Sequence, residues 1–201
     1  MKRILAIALI AAFAFAATAN VAKAQFGIKG GIYTTSLSKV TGDFKVKNNI
    51  GYQAGILYSH HVTPGFVVQP ELLFINRTAT IAPRESMPGA TNEKIELQYL
   101  QIPLSIQYGF NLVVVRPYVQ AVPYISYAIG KNHNAGSWDD LNRFTGGVGL
   151  GFGADLWKFQ VNVRYNWDIS KVGDDGKETY NQDKWRASKQ KGLEVSLAFI
   201  F

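Results

Sequence analysis

The chain has 201 residues, no cysteine, and 21 basic against 14 acidic residues, which gives a formal charge of +7. Without cysteine the fold cannot rest on disulfides, so backbone pairing and burial must hold it. A general diffusion porin is excluded by length, because such barrels have roughly sixteen or more strands. The positive charge alone would suit a nucleic-acid-binding protein, but part of it lies in the N-terminal segment.

The first residues have the pattern of an export signal. Lysine and arginine at positions 2–3 precede an apolar run at 4–17, and the triplet AKA at 22–24 has the small-x-small form of a cleavage site. We predict a signal peptide over residues 1–24 and a mature chain that starts at Gln25. A transmembrane anchor is the alternative, but the run is shorter than the ~20 residues that a span needs. Cleavage leaves 18 basic against 14 acidic residues, a charge of about +4, so we expect no nucleic-acid partner.

The rest of the chain alternates in two-residue steps, as strands do. No mature segment reaches 18 consecutive apolar residues, so a membrane location would require a barrel and not a helix. We predict eight strands, at residues 26–35, 49–61, 66–79, 94–108, 113–129, 144–154, 158–170 and 191–201.

The seventh and eighth predicted strands show the alternation most clearly. Between Phe159 and Trp167 the odd-numbered residues are all apolar or aromatic, and the even-numbered residues from Gln160 to Asp168 are all polar. In the eighth strand, one face carries Leu193, Val195, Leu197, Phe199 and the terminal Phe201. A terminal aromatic that completes an amphipathic strand is typical of bacterial outer-membrane barrels.

Short and long connections alternate along the chain. The short ones are VTPG, GFNL and DLW, and the long polar ones run roughly over 36–48, 80–93, 130–143 and 171–190. An up-and-down meander with one short-turn side and one long-loop side has this pattern, and an even strand number places both termini on the short-turn side. The prediction is therefore an all-β fold, an eight-stranded antiparallel up-and-down transmembrane β-barrel over residues 25–201, after a cleaved signal peptide.

The alternative for the same strands is a soluble barrel of the lipocalin kind, whose interior is apolar. The seventh strand argues against it, because one face bears Arg164 and Asp168 and the other bears bulky aromatics. Aromatic residues also cluster at the strand ends, as expected at two membrane interfaces. On the short-turn side these are Phe26, Tyr58, Phe66, Tyr108, Phe110, Trp157, Phe159, Phe199 and Phe201. On the loop side they are Tyr33, Phe74, Tyr127, Trp138, Phe144 and Trp167.

Four prolines fall inside predicted strands: Pro70, Pro103, Pro117 and Pro123. A closed barrel has no free edge on which to place them. Each must therefore lie at a bulge or lose one ladder hydrogen bond, and the sequence leaves both options open.

Several segments resemble a known family. The segments FGIKGGIYTTSLS, LQYLQIPLSIQYGF, RPYVQAVPYISYAIG and VNVRYNWDIS are similar to those of outer-membrane β-barrel proteins described as porin-like or PorT-type. The resemblance covers residues 25–201, and its most specific parts are YLQIP at 99–103 and RYN at 164–166. It implies an eight-stranded barrel in a Gram-negative outer membrane, with a poorly known molecular function. The chain departs at 121–123, where the family usually has glycine before the proline.

Charged residues on the predicted inward faces are the candidate functional groups. An eight-stranded barrel encloses little more than its own side chains, so charges inside it must pair. We expect Arg164 to meet Glu71 or Glu194 in a polar plug; a narrow ion or proton path is the alternative. The predicted lumen charge network consists of Glu71, Arg116, Arg164, Asp168 and Glu194. Lys29, Asp155, Gln53, Gln69, Gln107 and Gln120 are further inward-facing candidates.

No catalytic, cofactor or metal site is expected. Ser59 and His61 share a face and could combine with Glu71 in a barrel lipid hydrolase, but they adjoin a short turn and no GxSxG elbow occurs. The acidic residues at 174–183 lack the spacing of a calcium loop. The glycine-rich run at 147–153 is not followed by the Lys-Ser of a phosphate loop, so we interpret it as small inward positions.

These observations favour a structural or surface-contact protein with long extracellular loops. Its expected partners are outer-membrane lipid, lipopolysaccharide, and the barrel-assembly machinery, which would recognise the C-terminal strand ending in Phe201. We expect a monomer. The alternatives are a barrel enzyme acting on outer-membrane lipid, a narrow-pore transport protein, and a soluble periplasmic ligand binder.

Overall fold

A computed structural model describes residues 24–38, 44–83, 93–131, 143–169 and 189–201. They form eight β-strands: β1 Ala24–Ser38, β2 Phe44–Thr63, β3 Phe66–Pro83, β4 Glu93–Gly109, β5 Val115–Lys131, β6 Phe144–Leu156, β7 Phe159–Asp168 and β8 Lys189–Ile200. Among the described residues there is no helix long and apolar enough to cross a membrane.

The strands form one closed barrel. Each strand pairs antiparallel with the next, and β1 closes the barrel by pairing with β8. The ladder of this last pair runs from Gly27 opposite Ile200 to Ser38 opposite Lys189, and the Phe201 amide donates to the carbonyl oxygen of Phe26 at 2.8 Å. The predicted eight-stranded up-and-down barrel is confirmed. The predicted signal peptide lies almost wholly outside the described residues.

Several strand ends differ from the prediction by two to five residues. Residues 44–48 and 80–83, expected in loops, continue the β2–β3 ladder as far as Phe44 opposite Pro83. β5 begins at Val115, two residues later than predicted, because the turn before it is closed by backbone hydrogen bonds. In that turn the Leu112 amide donates to the carbonyl oxygen of Val115 at 3.0 Å.

Most of the outward side chains are apolar, as the alternation predicts, and the polar and charged side chains face the lumen together with some apolar ones such as Leu73 and Ile75. In β8, the outward Leu197 is 52% exposed and its inward neighbour Ser196 is 3% exposed. Exposed Ile, Leu, Val and aromatic residues cover the outside of the other strands as well. The outer surface of the barrel is therefore apolar.

Aromatic rings pack against each other at the short-turn end of the barrel. Edge-to-face pairs join Phe26 to Tyr58, with ring centroids 5.1 Å apart, and Phe159 to Phe199, at 5.3 Å. Tyr33, which we assigned to the loop-side belt, is instead buried in the lumen. It lies at an odd position of β1, on the same face as Lys29, so the alternation places it inside. Trp138 lies outside the described residues.

Three of the four strand prolines interrupt a ladder without creating bulges, whereas Pro117 lies opposite Ala154 in an unbroken part of the β5–β6 ladder. Beside Pro70 the β2–β3 ladder skips two rungs, but Leu57 opposite Glu71 and His60 opposite Val68 keep the same register. The β3–β4 and β4–β5 ladders skip rungs in the same way at Pro103 and Pro123. The register shifts that do occur lie elsewhere, for example between Gln98 and Tyr99 in the β4–β5 ladder. For Pro70, Pro103 and Pro123, the lost ladder bond is therefore the option observed.

Glycines line the inward face of β6, at positions 147, 149, 151 and 153. A Cβ atom on Gly147 would collide with the Tyr124 hydroxyl, and one on Gly153 with the Tyr118 hydroxyl. The missing side chains therefore make room for two large residues of β5.

Candidate functional site

Four charged side chains meet at mid-height in the lumen. The Lys29 ammonium lies 2.9 Å from a carboxylate oxygen of Glu71 and 2.9 Å from one of Glu194. The Arg164 guanidinium lies 3.0 Å from Glu71 and 3.6 Å from Glu194. All four side chains are fully buried. We call these four residues the central charge group.

The strand arrangement explains why this group can form. Arg164 and Glu194 face each other directly across the β7–β8 ladder. Lys29 is on β1 and Glu71 is on β3, so their side chains reach past β2 to meet inside the barrel. The central charge group thus joins four of the eight strands. Its two cations and two anions cancel, which is the condition for keeping charges out of water at acceptable cost.

Glutamine amides extend this group towards the short-turn end. The Gln69 side chain donates to Glu71 at 3.1 Å and to Gln160 at 3.1 Å. Gln107 donates to the Gln69 oxygen at 3.3 Å. Gln120 accepts hydrogen bonds from Arg164 at 3.2 Å and from Ser105 at 2.7 Å. These amides connect the central charge group to a second ion pair below it.

That second pair is Arg116 and Asp155. The Arg116 guanidinium lies 2.8 Å from the Asp155 carboxylate and also donates to Gln107 at 3.2 Å. A further donation, to the carbonyl oxygen of Gly65 at 3.1 Å, ties it to the β2–β3 turn. Gln160 donates to the other oxygen of Asp155 at 2.8 Å. This pair lies at the short-turn end of the lumen and is partly exposed there.

A third pair, Arg77 and Asp168, lies towards the loop side. The Arg77 guanidinium is 2.7 Å from the Asp168 carboxylate and donates to Gln101 at 3.3 Å. It lies between the rings of Tyr33 and Tyr99, 5.0 and 4.8 Å from their centroids. A planar cation can stack on two aromatic faces and keep its in-plane hydrogen bonds. This pair is therefore held by stacking as well as by charge.

Arg77 was missing from the predicted lumen residues. It lies at an odd position of β3, six residues beyond Glu71, so the alternation that placed Glu71 inside also places Arg77 inside. In the described part of the barrel the lumen then holds four cations and four anions. The cations are Lys29, Arg77, Arg116 and Arg164, and the anions are Glu71, Asp155, Asp168 and Glu194.

The five predicted network residues lie at three different heights in the lumen. Glu71, Arg164 and Glu194 meet in the central charge group, Arg116 pairs with Asp155 below it, and Asp168 pairs with Arg77 above it. The predicted network residues thus all lie in the lumen but do not form one cluster.

Ser59 and His61 lie at the short-turn mouth of the barrel. They help to line a cavity of about 190 Å³ together with Arg116, Asp155 and apolar residues of the β4–β5 turn. Glu71 is distant from it: its ladder partner is Leu57, four residues along β2 from His61, or about 13 Å at the rise of a strand. The three residues do not form a Ser–His–Glu set.

No group of three or more metal-binding side chains occurs within the described ranges. The acidic segment at 174–183 lies outside them.

Comparison with known proteins identifies the family. The family model described as outer membrane protein beta-barrel domain matches residues 5–201. The structure of Neisserial surface protein A is similar, with a TM-score of 0.50 and 15% identity over 88% of this chain and 97% of that one. The outer membrane protein OprG from Pseudomonas aeruginosa is similar too, with a TM-score of 0.50 and 14% identity over 88% of this chain and 95% of that one. No curated protein matches the sequence. This chain belongs to the outer membrane protein β-barrel family and is a β-barrel protein of the bacterial outer membrane.

Proposed function

We propose that this protein is a non-conducting outer-membrane barrel that anchors surface-contact loops in the membrane. The observation that carries the proposal is the central charge group, whose four side chains are fully buried across the middle of the lumen. Opening a path there would require separating two cations from two carboxylates in a space that an eight-stranded barrel already fills with side chains. This argues against the alternative of a narrow-pore transport protein.

The surface-contact role is assigned to the long connections. Their central parts, 39–43, 84–92, 132–142 and 170–188, lie outside the described residues. The support is their length and mixed charge on one side of the barrel, whereas the short turns on the other side leave little room for a partner. We further propose lipopolysaccharide and outer-membrane lipid as neighbours, recognition of the C-terminal strand and Phe201 by the assembly machinery, a monomeric state, and membership of the narrower PorT-type group.

We propose no enzymatic activity. The alternative, an enzyme acting on outer-membrane lipid, would need Ser59 and His61 to be completed by a carboxylate. Glu71, the carboxylate that the sequence analysis combined with them, hydrogen-bonds to Lys29 and Arg164 and lies well away from His61 along the strand. Asp155 lines the same cavity as Ser59 and His61, but its carboxylate is paired with Arg116. Lipid profiling of cells that carry Ser59→Ala and His61→Ala should therefore match the wild type, and a changed lipid pattern would favour the enzyme.

Planar-bilayer recording tests the anchor against the channel. The purified wild-type protein should give no steady conductance, because the lumen is filled. The double variant Arg164→Ala, Glu71→Ala empties part of the central charge group and should give more frequent leak events, which shows that correctly inserted protein was present. A steady, large conductance from the wild type would contradict the proposal.

Labelling of intact cells tests the loop orientation. A membrane-impermeant amine crosslinker should reach the lysines of segment 171–190 and capture any surface partner there. Lys158, in the short β6–β7 turn, is the internal control: it is exposed in the barrel but should react only after the cells are broken. Labelling of Lys158 in intact cells would reverse the proposed orientation.

A further inference from the structure

Three polar side chains form a row on the inner wall of β4, β5 and β6. Gln101 is opposite Ser126 in the β4–β5 ladder, and Ser126 is opposite Thr145 in the β5–β6 ladder. Residues directly opposite each other have Cβ atoms about 4.5–5.5 Å apart. The three side chains therefore emerge next to one another on the same side of the sheet.

Each of the three has a buried polar atom without a partner among the described residues. These atoms are the Gln101 amide nitrogen, the Ser126 hydroxyl oxygen and the Thr145 hydroxyl oxygen. The residues are 0%, 1% and 1% exposed. Buried polar atoms are nearly always hydrogen-bonded, and where protein partners are missing an internal water commonly takes their place.

The orientation of the Gln101 amide is fixed by Arg77. The Arg77 guanidinium donates to the Gln101 side-chain oxygen at 3.3 Å, so the NH2 end is the part of the amide left to find another partner. On the other side of the row, the ladder partner of Gln101 is Leu73, which is fully buried and apolar. The Gln101 donor therefore has no polar partner on the Leu73 side, whereas Ser126 and Thr145 offer two hydroxyls on the other side.

The size and charge of the site select its occupant. Ser126 and Thr145 have short side chains, so their hydroxyls stay near the wall, and a row of three uncharged polar groups suits one small neutral molecule. A water can accept from Gln101 and hydrogen-bond to both hydroxyls, which gives the three contacts typical of an internal water. An anion would also fit three donors. However, the adjoining Arg77 is already neutralised by Asp168, so a bare anion there would be an uncompensated buried charge.

We infer that Gln101, Ser126 and Thr145 form a binding site for one internal water molecule. This water connects β4, β5 and β6 by hydrogen bonds on the wall that the central charge group does not reach. It also extends the hydrogen bonding of the Arg77–Asp168 pair towards β6.

A high-resolution crystal structure of the full barrel tests the site. We expect one isolated density peak within about 3 Å of all three polar atoms, and no anomalous signal there after a bromide soak. In the double variant Ser126→Ala, Thr145→Val the peak should be lost. The matched control is Ser105→Ala, also on β4, because the Ser105 hydroxyl donates to Gln120 and its loss should leave the peak in place.

Three outcomes would overturn the inference. The first is a wild-type structure without the peak, in which the three groups hydrogen-bond directly to protein atoms. The second is a bromide peak, which would make this an anion site. The third is persistence of the peak in the double variant. If that variant fails to fold, NMR of the refolded wild type decides: the Gln101 side-chain amide should show a cross-peak to a bound water, and its absence would count against the site.

Discussion

Arg164 and Glu194 face each other directly in the β7–β8 ladder, yet the closer ionic partner of Arg164 is Glu71 on β3. The guanidinium is 3.0 Å from the Glu71 carboxylate and 3.6 Å from that of Glu194. One cation thus bridges a neighbouring strand and a strand across the lumen. The interior is held by contacts through the barrel as well as by contacts around its wall.

Removal of Arg164 should destabilise the barrel strongly. In Arg164→Met, two carboxylates remain buried with Lys29 as their only cation in the central charge group, and we expect a loss of roughly 3–5 kcal/mol. The double variant Arg164→Met, Glu71→Gln should lose less, because one of the two negative charges is gone. Urea unfolding of the barrel in lipid or detergent measures both. Additive losses in the double variant would mean that the two residues do not interact.

A charged residue at position 197 tests whether this face of β8 contacts lipid. Leu197→Arg places a charge on the apolar outer surface and should cost roughly 2–4 kcal/mol near the bilayer midplane. Leu112→Arg is the matched control, because Leu112 lies in the short β4–β5 turn and is 60% exposed there; its cost should be about 0–1 kcal/mol, the range for the interfaces. The free energy of unfolding of both variants is measured in urea titrations. If both lost the same amount, Leu197 would not lie deeper in the membrane than Leu112.

Arg77→Lys should not be a conservative change. A lysine keeps the charge but cannot stack flat between Tyr33 and Tyr99 while it donates to Asp168 and Gln101. We expect a loss of about 1–2 kcal/mol, the size of a desolvated cation–π contact, in the same unfolding measurement. Tyr33→Phe preserves the ring and serves as the control. If Arg77→Lys were as stable as the wild type, the stacking would contribute nothing.

Gly153→Ala should impair folding, whereas Gly30→Ala should be tolerated. A Cβ atom on Gly153 would come within 2.5 Å of the Val161 carbonyl oxygen and would also collide with the Tyr118 hydroxyl. On Gly30 the nearest atom would be 4.0 Å away. Overpacking of this kind costs about 1–3 kcal/mol. The fraction of folded barrel, seen as heat-modifiable migration on a gel, should fall only for Gly153→Ala, and a fall for both variants would indicate a general need for glycine.

Two-residue alternation predicted the fold and most of the charged residues that face the lumen. It located Glu71, Arg164 and Glu194 in the lumen, and applied throughout β3 and β1 it would also have located Arg77 and Tyr33. It led to the expectation that Arg164 meets Glu71 or Glu194, and Arg164 contacts both. It could not select the closer partner, because alternation gives the face of each strand but not the register between strands. The Lys29–Glu71 contact also depends on side chains long enough to reach past β2. The local structure at the strand prolines was left open for a similar reason. A proline at a bulge and a proline that only loses a ladder hydrogen bond have the same sequence pattern.

The contact between Lys29 and Glu194 joins the first strand to the last. It can therefore form only when the ends of the sheet come together. A one-residue slip at the β1–β8 seam would turn Lys29 towards lipid and leave Glu194 inside without it. The Lys29–Glu194 ion pair thus favours closure of the barrel in the correct register. A misaligned closure would lose this contact and would leave a buried carboxylate without one of its cations.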